Sequence, residues 1–377
     1  MGPWRRLSSH ANELWICGLH HAGPITERKT VRRGSTSLRA QYAGATTAGE
    51  IFMKLRIFAA AIAVNLTGMS AALALDQSLP AYQAVTGISG QLKSVGSDTL
   101  NIEMTLWAKR FKDLYPAVNI GIEGKGSATA PPALLEGASQ FGPMSRPMTA
   151  EEIAAFEKKY GYKATGFRVA VDALAVYVHK DNPIQCLTLQ QLNRIFSSTY
   201  KVAGGGNIKT WGDVGLSGEW ATKPVSLYGR NSISGTYELF REIALNNGDY
   251  KDEVKQQPGS EGVVHGVAGD SSAIGYSGIG YKTNDVRTVP LASYSGGKCY
   301  DTSAEATLSG HYPIARYLYI YLNKKPSTQL DTLRSEFIKY ILSKDGQTQT
   351  EMAGFYPITN AIREEDLKRL GISTLSN

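Results

Sequence analysis

The feature that most constrains the fold is a near-continuous apolar run, RVAVDALAVYVHKDNP, at residues 168–183. An apolar run of this kind is typical of a strand that is buried on both faces. A helical pattern precedes it, because Met104, Trp107 and Phe111 recur every three or four residues in IEMTLWAKRFKDLYP. Strands that alternate with helices along the chain predict an α/β protein with mostly parallel sheets.

The rest of the chain continues this alternation. Thr149 with Glu152 and Thr188 with Gln191 have the spacing of capping boxes, and each pair predicts the start of a helix. The other predicted elements are the strands AVNIGIEG (117–124), PVSLYG (224–229), SAIGYSGIGY (272–281, with a turn) and ARYLYIYLN (315–323), and the helices in APPALLEGASQ (130–140) and LRSEFIKYILSKDGQTQTEMAG (333–354).

The N-terminal part of the chain reads as an export signal. In MKLRIFAAAIAVNLTGMSAALALD, which begins at Met53, a basic segment precedes an apolar one and an A-x-A motif ends at Ala74. This order predicts a signal peptide over residues 53–74, cleavage after Ala74 and a periplasmic protein. A membrane anchor is the alternative, which the short, polar-interrupted apolar segment disfavours. We interpret residues 1–52 as a non-structural leader or a gene-model artefact, with a targeting presequence as the alternative.

The charge of the chain does not indicate a nucleic-acid-binding protein. The formal net charge is +7, but residues 1–74 contain nine of the 40 Lys and Arg and three of the 33 Asp and Glu, which leaves +1 for the rest. A near-neutral exported protein lacks the basic surface that binds DNA or RNA. Cys186 and Cys299 are the cysteines after residue 74, and in an oxidising compartment they predict one disulfide, with two free buried thiols as the alternative.

Four loops combine hydroxyl side chains with the end of a strand or the start of a helix. A helix N-terminus attracts anions through its unpaired N–H groups and partial positive charge. Glycine lets the backbone approach closely, and arginine adds paired donors. The loops are GRNSISGT (Arg230, Ser234, Gly235, Thr236), VGSDTL (Ser97, Asp98, Thr99), GKGSAT (Ser127) and FGPMSRPM (Ser145, Arg146).

Together these loops predict a site for a tetrahedral oxyanion, because open α/β sheets bind ligands at the carboxyl ends of their strands. Taken alone, each loop is better explained as ordinary helix capping. Catalytic patterns are weaker still. The histidines after residue 74 are dispersed without metal-ligand spacing, and the chain has neither a G-x-S-x-G motif nor a phosphate-binding P-loop.

The order and spacing of these motifs resemble the substrate-binding protein of bacterial high-affinity phosphate ABC transporters. The most specific match is Arg230-x-x-x-Ser234-Gly235-Thr236 at a strand–helix junction, and the resemblance extends from about Val95 to Ile358. It implies a monomeric, non-enzymatic protein without cofactor or metal, which binds inorganic phosphate and delivers it to an inner-membrane ABC permease.

The resemblance also implies the domain organisation and the site. The fold would be a type II periplasmic-binding-protein clamshell, with a discontinuous domain (84–172 plus 284–377) and an inserted domain (173–283). Phosphate would lie in the cleft between them. The implied ligand residues are Ser127, Arg230, Ser234, Gly235 and Thr236, with Ser97, Asp98 and Thr99 as candidates whose register is open by one residue.

Two positions depart from the family pattern. Members often carry an aspartate where this chain has Ser145, and that aspartate accepts the proton of the bound phosphate. Members also often carry an aspartate two residues after the motif arginine, where this chain has Ser232. We hypothesise that Asp98 takes over the rejection of sulfate, because a carboxylate repels an anion that has no proton to donate. Its alternative role is a helix N-cap.

Arg146 has two interpretations: a second ligand of the anion, or the partner of a carboxylate at the rim of the cleft. The functional alternatives are a binder of another oxyanion (sulfate, arsenate or molybdate), an exported phosphatase-like protein on the same scaffold, or a regulatory or adhesive protein that has lost transport.

Overall fold

The computed structural model describes residues 75–201 and 205–373. The predicted leader, the signal peptide and its cleavage site therefore lie outside the described residues. Within the described residues, the chain is an α/β protein in which strands and helices alternate. The helices are α1 (Asn101–Leu114), α2 (Ala130–Leu135), α3 (Ala150–Tyr160), α4 (Leu189–Phe196), α5 (Gly235–Ile243), α6 (Ser260–Ala268), α7 (Ala304–Leu308), α8 (Thr332–Ile341), α9 (Lys344–Met352) and α10 (Asn360–Leu370).

The strands occupy the segments that alternation and apolar content predict. Short 3-10 turns follow several of them, as at Ser127–Thr129 and Ile279–Tyr281. The strands are β1 (Gly90–Gly96), β2 (Val118–Gly124), β3 (Gly142–Met144), β4 (Thr165–His179), β5 (Leu187–Thr188), β6 (Ser226–Arg230), β7 (Lys255–Gln257), β8 (Ala273–Gly278), β9 (Val286–Thr288), β10 (Leu291–Ala292) and β11 (Ala315–Leu322).

The main sheet has seven strands in the order β3-β11-β4-β8-β6-β7, and β9 also pairs with β4. The expectation of mostly parallel sheets is wrong for this sheet. β4 runs antiparallel to β8, β9 and β11, whereas β6 is parallel to β7 and β8. The apolar content of β4 reports its burial but not the direction of its neighbours, since any central strand covered on both faces reads in the same way.

The predicted helix starts at Thr149 and Thr188 are confirmed as capping boxes, with Glu152 and Gln191 as the reciprocal partners. Each box satisfies two backbone or side-chain groups at a helix end that would otherwise lack partners. The predicted apolar stripe of α1 is also confirmed, because Met104, Trp107 and Phe111 are all buried. Loss of these anchors would release the loops that lead into the helices.

The core lies on both sides of the main sheet. β4 is buried almost along its whole length, and β11 alternates between partly exposed and buried positions, with Leu318, Ile320 and Leu322 inside. Burial of each such side chain contributes about 1.5–3 kcal/mol. No helix among residues 75–201 and 205–373 has the length and apolar content required to cross a membrane.

A disulfide joins Cys186 and Cys299 in the structure, with the two Cα atoms 6.1 Å apart. It lies beside the short parallel pair of β5 and β10, which begin at Leu187 and Leu291. The bond closes a sequence separation of 113 residues. It therefore fixes the segment that enters α4 to the segment that follows β10.

Candidate functional site

Three of the predicted loops start side by side at one edge of the fold. β1 and β2 are parallel and in register, so that Gly96 is paired with Gly124 at their carboxyl ends. The Gly126 N–H donates to the Gly96 carbonyl at 2.8 Å, and the Ser97 N–H donates to the Pro143 carbonyl at 2.8 Å. The backbone thus brings the loops after β1, β2 and β3 together.

The fourth loop adds the N-terminus of α5 to this edge. Ser234 is the N-cap of α5, and its side-chain oxygen accepts a hydrogen bond from the Thr236 N–H at 3.1 Å. Gly235 faces the other loops so closely that a Cβ there would lie 2.5 Å from the Ser127 Oγ and 2.8 Å from the Ser145 Oγ. Only glycine allows the hydroxyl groups to approach the first turn of this helix.

The hydroxyl groups form a buried cluster. The Oγ1 atoms of Thr99 and Thr236 are 3.0 Å apart, and the Oγ atoms of Ser127 and Ser145 are 3.2 Å apart. The Ser145 N–H also donates to the Ser127 Oγ at 3.0 Å. All four residues are almost fully buried. Buried hydroxyls need hydrogen-bond partners, and here they find them in one another and in whatever occupies the site.

Arg230 is the cation of this cluster. It is the last residue of β6 and only 1% exposed. Its Nη1 donates to the Ser260 Oγ at 2.7 Å and its Nη2 to the Pro258 carbonyl at 3.0 Å. Burial lowers the pKa of the guanidinium, and the nearby Asp98 carboxylate opposes that shift. The buried Nε has no hydrogen-bond partner among the described residues, so it is a donor that an anion would satisfy.

Asp98 connects the loop after β1 with the N-terminus of α6. Its Oδ2 accepts hydrogen bonds from the Ser260 N–H and the Ser260 hydroxyl, both at 2.7 Å, and lies 3.1 Å from the Arg230 Nη1. The Asp98 carbonyl accepts a hydrogen bond from the Tyr281 hydroxyl at 2.6 Å. A carboxylate is stabilised at a helix N-terminus. Asp98 therefore caps α6, the helix that follows β7, while contacting Arg230.

Arg146 pairs with carboxylates, which is one of its two predicted interpretations. Its guanidinium donates to both oxygens of Glu152, at 2.7 and 2.8 Å, and contacts Glu238 on α5. Burial lowers the pKa of Arg146, but the hydrogen bonds to Glu152 and the charge of Glu238 outweigh it, so that the pKa is raised overall. A direct role as an anion ligand remains a prediction.

Three residues of this neighbourhood escaped the sequence analysis: Arg316, Asp172 and Ser260. Arg316 and Asp172 are cross-strand partners on β11 and β4, and the Arg316 Nε and Nη2 donate to the Asp172 Oδ2 at 2.9 and 2.7 Å. Arg316 also donates to the Thr236 Oγ1 and to the carbonyl of Ser145, both at 2.9 Å. A charged residue in each of two otherwise apolar strands was the available signal.

The arrangement suits an oxyanion rather than a metal ion. Its polar atoms are mostly hydroxyl, amide and guanidinium donors, which stabilise negative charge. Among residues 75–201 and 205–373, no three His, Cys, Asp or Glu side chains are grouped so that they could hold a metal.

Comparisons with known proteins agree with this chemistry. Residues 81–345 match the PBP superfamily domain. The chain is 51% identical over 323 residues to the phosphate-binding protein PstS of Pseudomonas aeruginosa, covering 85% of this chain and 100% of that protein. It is also similar to two solved structures.

The first structure is from Clostridium perfringens and is described as a phosphate ABC transporter substrate-binding protein with bound phosphate. It is 25% identical with a TM-score of 0.59, covering 71% of this chain and 100% of that chain. The second is a possible phosphate binding protein from Planctomyces limnophilus. It is 26% identical with a TM-score of 0.54, covering 76% of this chain and 99% of that chain.

Proposed function

The chain belongs to the PBP superfamily and, within it, to the family of PstS phosphate-binding proteins, and on that premise we propose that it binds inorganic phosphate and delivers it to an ABC-type permease. Its fold is the two-lobed α/β fold of type II periplasmic binding proteins. The family is one of substrate-binding transport proteins rather than enzymes.

One observation carries the proposal: a buried arginine with a free Nε lies beside a helix N-terminus and a cluster of buried hydroxyls. A dehydrated phosphate needs many short donors and a compensating positive charge, and this group of residues supplies both. The proposed phosphate-binding residues are Ser97, Asp98, Thr99, Ser127, Ser145, Arg146, Arg230, Ser234, Gly235 and Thr236.

Contacts between distant segments support a clamshell that closes over the ligand. We take the lobes to be residues 84–172 plus 284–377 and residues 173–283. Asp98 with Arg230, Arg146 with Glu238, and the Ala128 N–H with the Ile233 carbonyl at 3.2 Å each join one of these lobes to the other. Hinge closure around a ligand would make all three contacts together, and the permease would receive the closed form.

The proposed location is the periplasm, where the predicted signal peptide would deliver the protein. The disulfide between Cys186 and Cys299 is consistent with an oxidising compartment. We propose that the protein acts as a monomer, with phosphate as its ligand and the inner-membrane permease as its partner.

A second candidate ligand is another tetrahedral oxyanion. Ser145 favours it, because this residue stands where the family pattern has the aspartate that accepts the phosphate proton. A site that lacked any such acceptor would discriminate less well between phosphate and sulfate.

Calorimetric titration with a panel of anions tests the proposal. The purified protein would be unfolded and refolded to strip bound anion, then titrated with phosphate, arsenate, sulfate and molybdate. We expect one-to-one binding of phosphate that persists in excess sulfate. Binding of sulfate or molybdate in preference to phosphate would overturn the proposal, and turnover of a phosphomonoester would reassign the protein as an enzyme.

A further inference from the structure

Arg316 and Asp172 form a buried ion pair directly behind the proposed phosphate site. Asp172 is fully buried and Arg316 is 8% exposed. The Asp172 Oδ2 accepts two hydrogen bonds from Arg316, and its Oδ1 accepts one from the Ile279 N–H at 3.0 Å. Asp172 is thereby held in one position, and it holds the planar guanidinium of Arg316 in one position in turn.

This fixed guanidinium determines how the Thr236 hydroxyl is used. Arginine has only donors, so its 2.9 Å contact with the Thr236 Oγ1 makes that oxygen an acceptor. The Thr236 hydrogen must then point elsewhere. Its neighbour at 3.0 Å is the Thr99 Oγ1. When Thr236 donates to Thr99, the Thr99 hydrogen is free for the ligand; otherwise the Thr236 hydrogen itself is.

The other hydroxyls of the site have the same polarity for a different reason. Backbone N–H groups donate to the Oγ atoms of Ser97, Ser127 and Ser234, at 3.1, 3.0 and 3.1 Å. Each of these oxygens is therefore an acceptor toward its own loop and retains a hydrogen to donate. Arg316 is the group that extends this rule from the serines to the two threonines.

Arg316 also places positive charge next to Ser145. Its Nη1 donates to the Ser145 carbonyl at 2.9 Å. At this position the family pattern has an acidic side chain that accepts a proton, whereas this chain has a hydroxyl with a cation behind it. The change converts an accepting side of the site into a donating one.

We propose that Arg316, positioned by Asp172, sets the hydrogen-bond polarity of the phosphate site by making Thr236 and Thr99 donors to the anion. This inference rests on the proposed function. It assigns Arg316 as a positioning residue that acts through Thr236, and Asp172 as the residue that holds it. It also implies that any acceptor for a ligand proton lies on another side of the site, where the Asp98 Oδ1 has no donor among the described residues.

A double-mutant cycle tests this assignment, with inorganic phosphate as the titrant and the refolded full-length protein. The variants are Arg316→Lys, Thr236→Val and the combination of both. We expect each single change to weaken the phosphate Kd by about tenfold or more, and the combination to be within about twofold of Thr236→Val alone, because both remove the same interaction. Losses that multiply, to about a hundredfold or more, would overturn the assignment.

A matched control separates positioning from stability. Arg168, four residues before Asp172 on β4, makes a comparable fork to Asp366 with contacts of 2.9 and 3.1 Å. Arg168→Lys should lower the unfolding temperature and leave the phosphate Kd unchanged. If Arg316→Lys behaves in the same way as this control, Arg316 is structural and the inference fails.

A second variant keeps the inference testable if Arg316→Lys does not fold. The combination of Asp172→Asn and Arg316→Gln retains a neutral hydrogen-bonded pair without a buried charge, and its amide oxygen lets the Thr236 hydroxyl turn round. A phosphate Kd at least about tenfold weaker supports the inference, and an unchanged Kd overturns it. Absence of phosphate binding by the wild-type protein would overturn the proposed function itself, and this inference with it.

Discussion

The Asp98 carboxylate lies 3.1 Å from the Arg230 guanidinium and joins the loop after β1 to the end of β6. The same carboxylate oxygen caps α6 through Ser260, so that one acidic side chain contacts both the cation of the site and a helix N-terminus. Closure of the proposed lobes and the placement of Arg230 therefore depend on a single contact.

The first prediction concerns Asp98→Asn. The Asp98 Oδ2 already receives Ser260 and Arg230, which leaves Oδ1 as the oxygen that can accept a proton from monohydrogen phosphate. Removing the charge should strengthen the binding of fully ionised sulfate relative to phosphate, by about tenfold for a difference of roughly 1.4 kcal/mol. Competition titration of the two anions measures this ratio. If both affinities fall in parallel, Asp98 serves only the contact with Arg230 and Ser260, and the sulfate-rejection hypothesis is lost.

The second prediction concerns Gly235→Ala. The added Cβ would meet the Ser127 Oγ at 2.5 Å and the Ser145 Oγ at 2.8 Å, so both hydroxyls must move away from the start of α5. Alanine is a good helix former, so the helix itself should be retained. We expect phosphate binding to weaken by about tenfold or more, as measured by titration, with a normal far-ultraviolet spectrum.

Gly206→Ala is the matched control, because a Cβ at that position meets nothing within 4 Å. Its phosphate affinity should equal that of the wild type. Equal affinities for the variants at Gly235 and Gly206 would mean that the first turn of α5 does not line the anion site.

Much of this architecture follows from local sequence signals. The helix starts at Thr149 and Thr188, the apolar face of α1 and the strand before Arg230 all depend on residues that are neighbours in the chain. The clustering of the loops was also predictable, because strand ends in an α/β fold meet at one edge.

The parts that escaped prediction depend on contacts between distant residues. Arg316 and Asp172 are 144 residues apart, and only the antiparallel register of β11 with β4 makes them partners. Ser260 is 162 residues from Asp98, to which it donates two hydrogen bonds. Local patterns do not encode which strands pair or in which direction, and the expectation of mostly parallel sheets failed for the same reason.

The third prediction concerns the disulfide. Replacing Cys186 and Cys299 by serine opens a cross-link between residues 113 positions apart. We expect the free energy of unfolding to fall by about 2–4 kcal/mol, because the unfolded chain regains conformational freedom. Denaturant unfolding of the oxidised wild type and the double-serine variant measures the difference. Identical midpoints, together with two reactive thiols in the wild type, would show that the bond does not form.

The fourth prediction concerns Glu103, a fully buried acid on α1. Burial raises its pKa well above the ordinary value of 4.5, and the negative charge of Asp172 adds to the shift. The folded protein then keeps a proton that the unfolded chain releases. The stabilisation is complete below the unfolded-state pKa and is lost as the pH rises toward the folded-state pKa.

Glu103→Gln removes this proton linkage, so the variant should be more stable than the wild type at about pH 8, and its unfolding temperature should vary less with pH above about pH 5. Thermal unfolding across this range measures both effects. Glu157→Gln, an exposed change on α3, serves as the control. A pH dependence as steep in Glu103→Gln as in the wild type would show that Glu103 is not the group responsible.

The central claim is that the buried cluster around Arg230 binds phosphate, and titration of the wild type beside Arg230→Met tests it most directly. Arg230 is the buried cation whose Nε lacks a partner among the described residues. Hydrogen bonds to charged groups contribute about 1.5–3 kcal/mol each, so the variant should bind phosphate at least about a hundredfold more weakly. Its circular dichroism should remain that of a folded protein. A folded Arg230→Met that binds phosphate as tightly as the wild type would contradict the account.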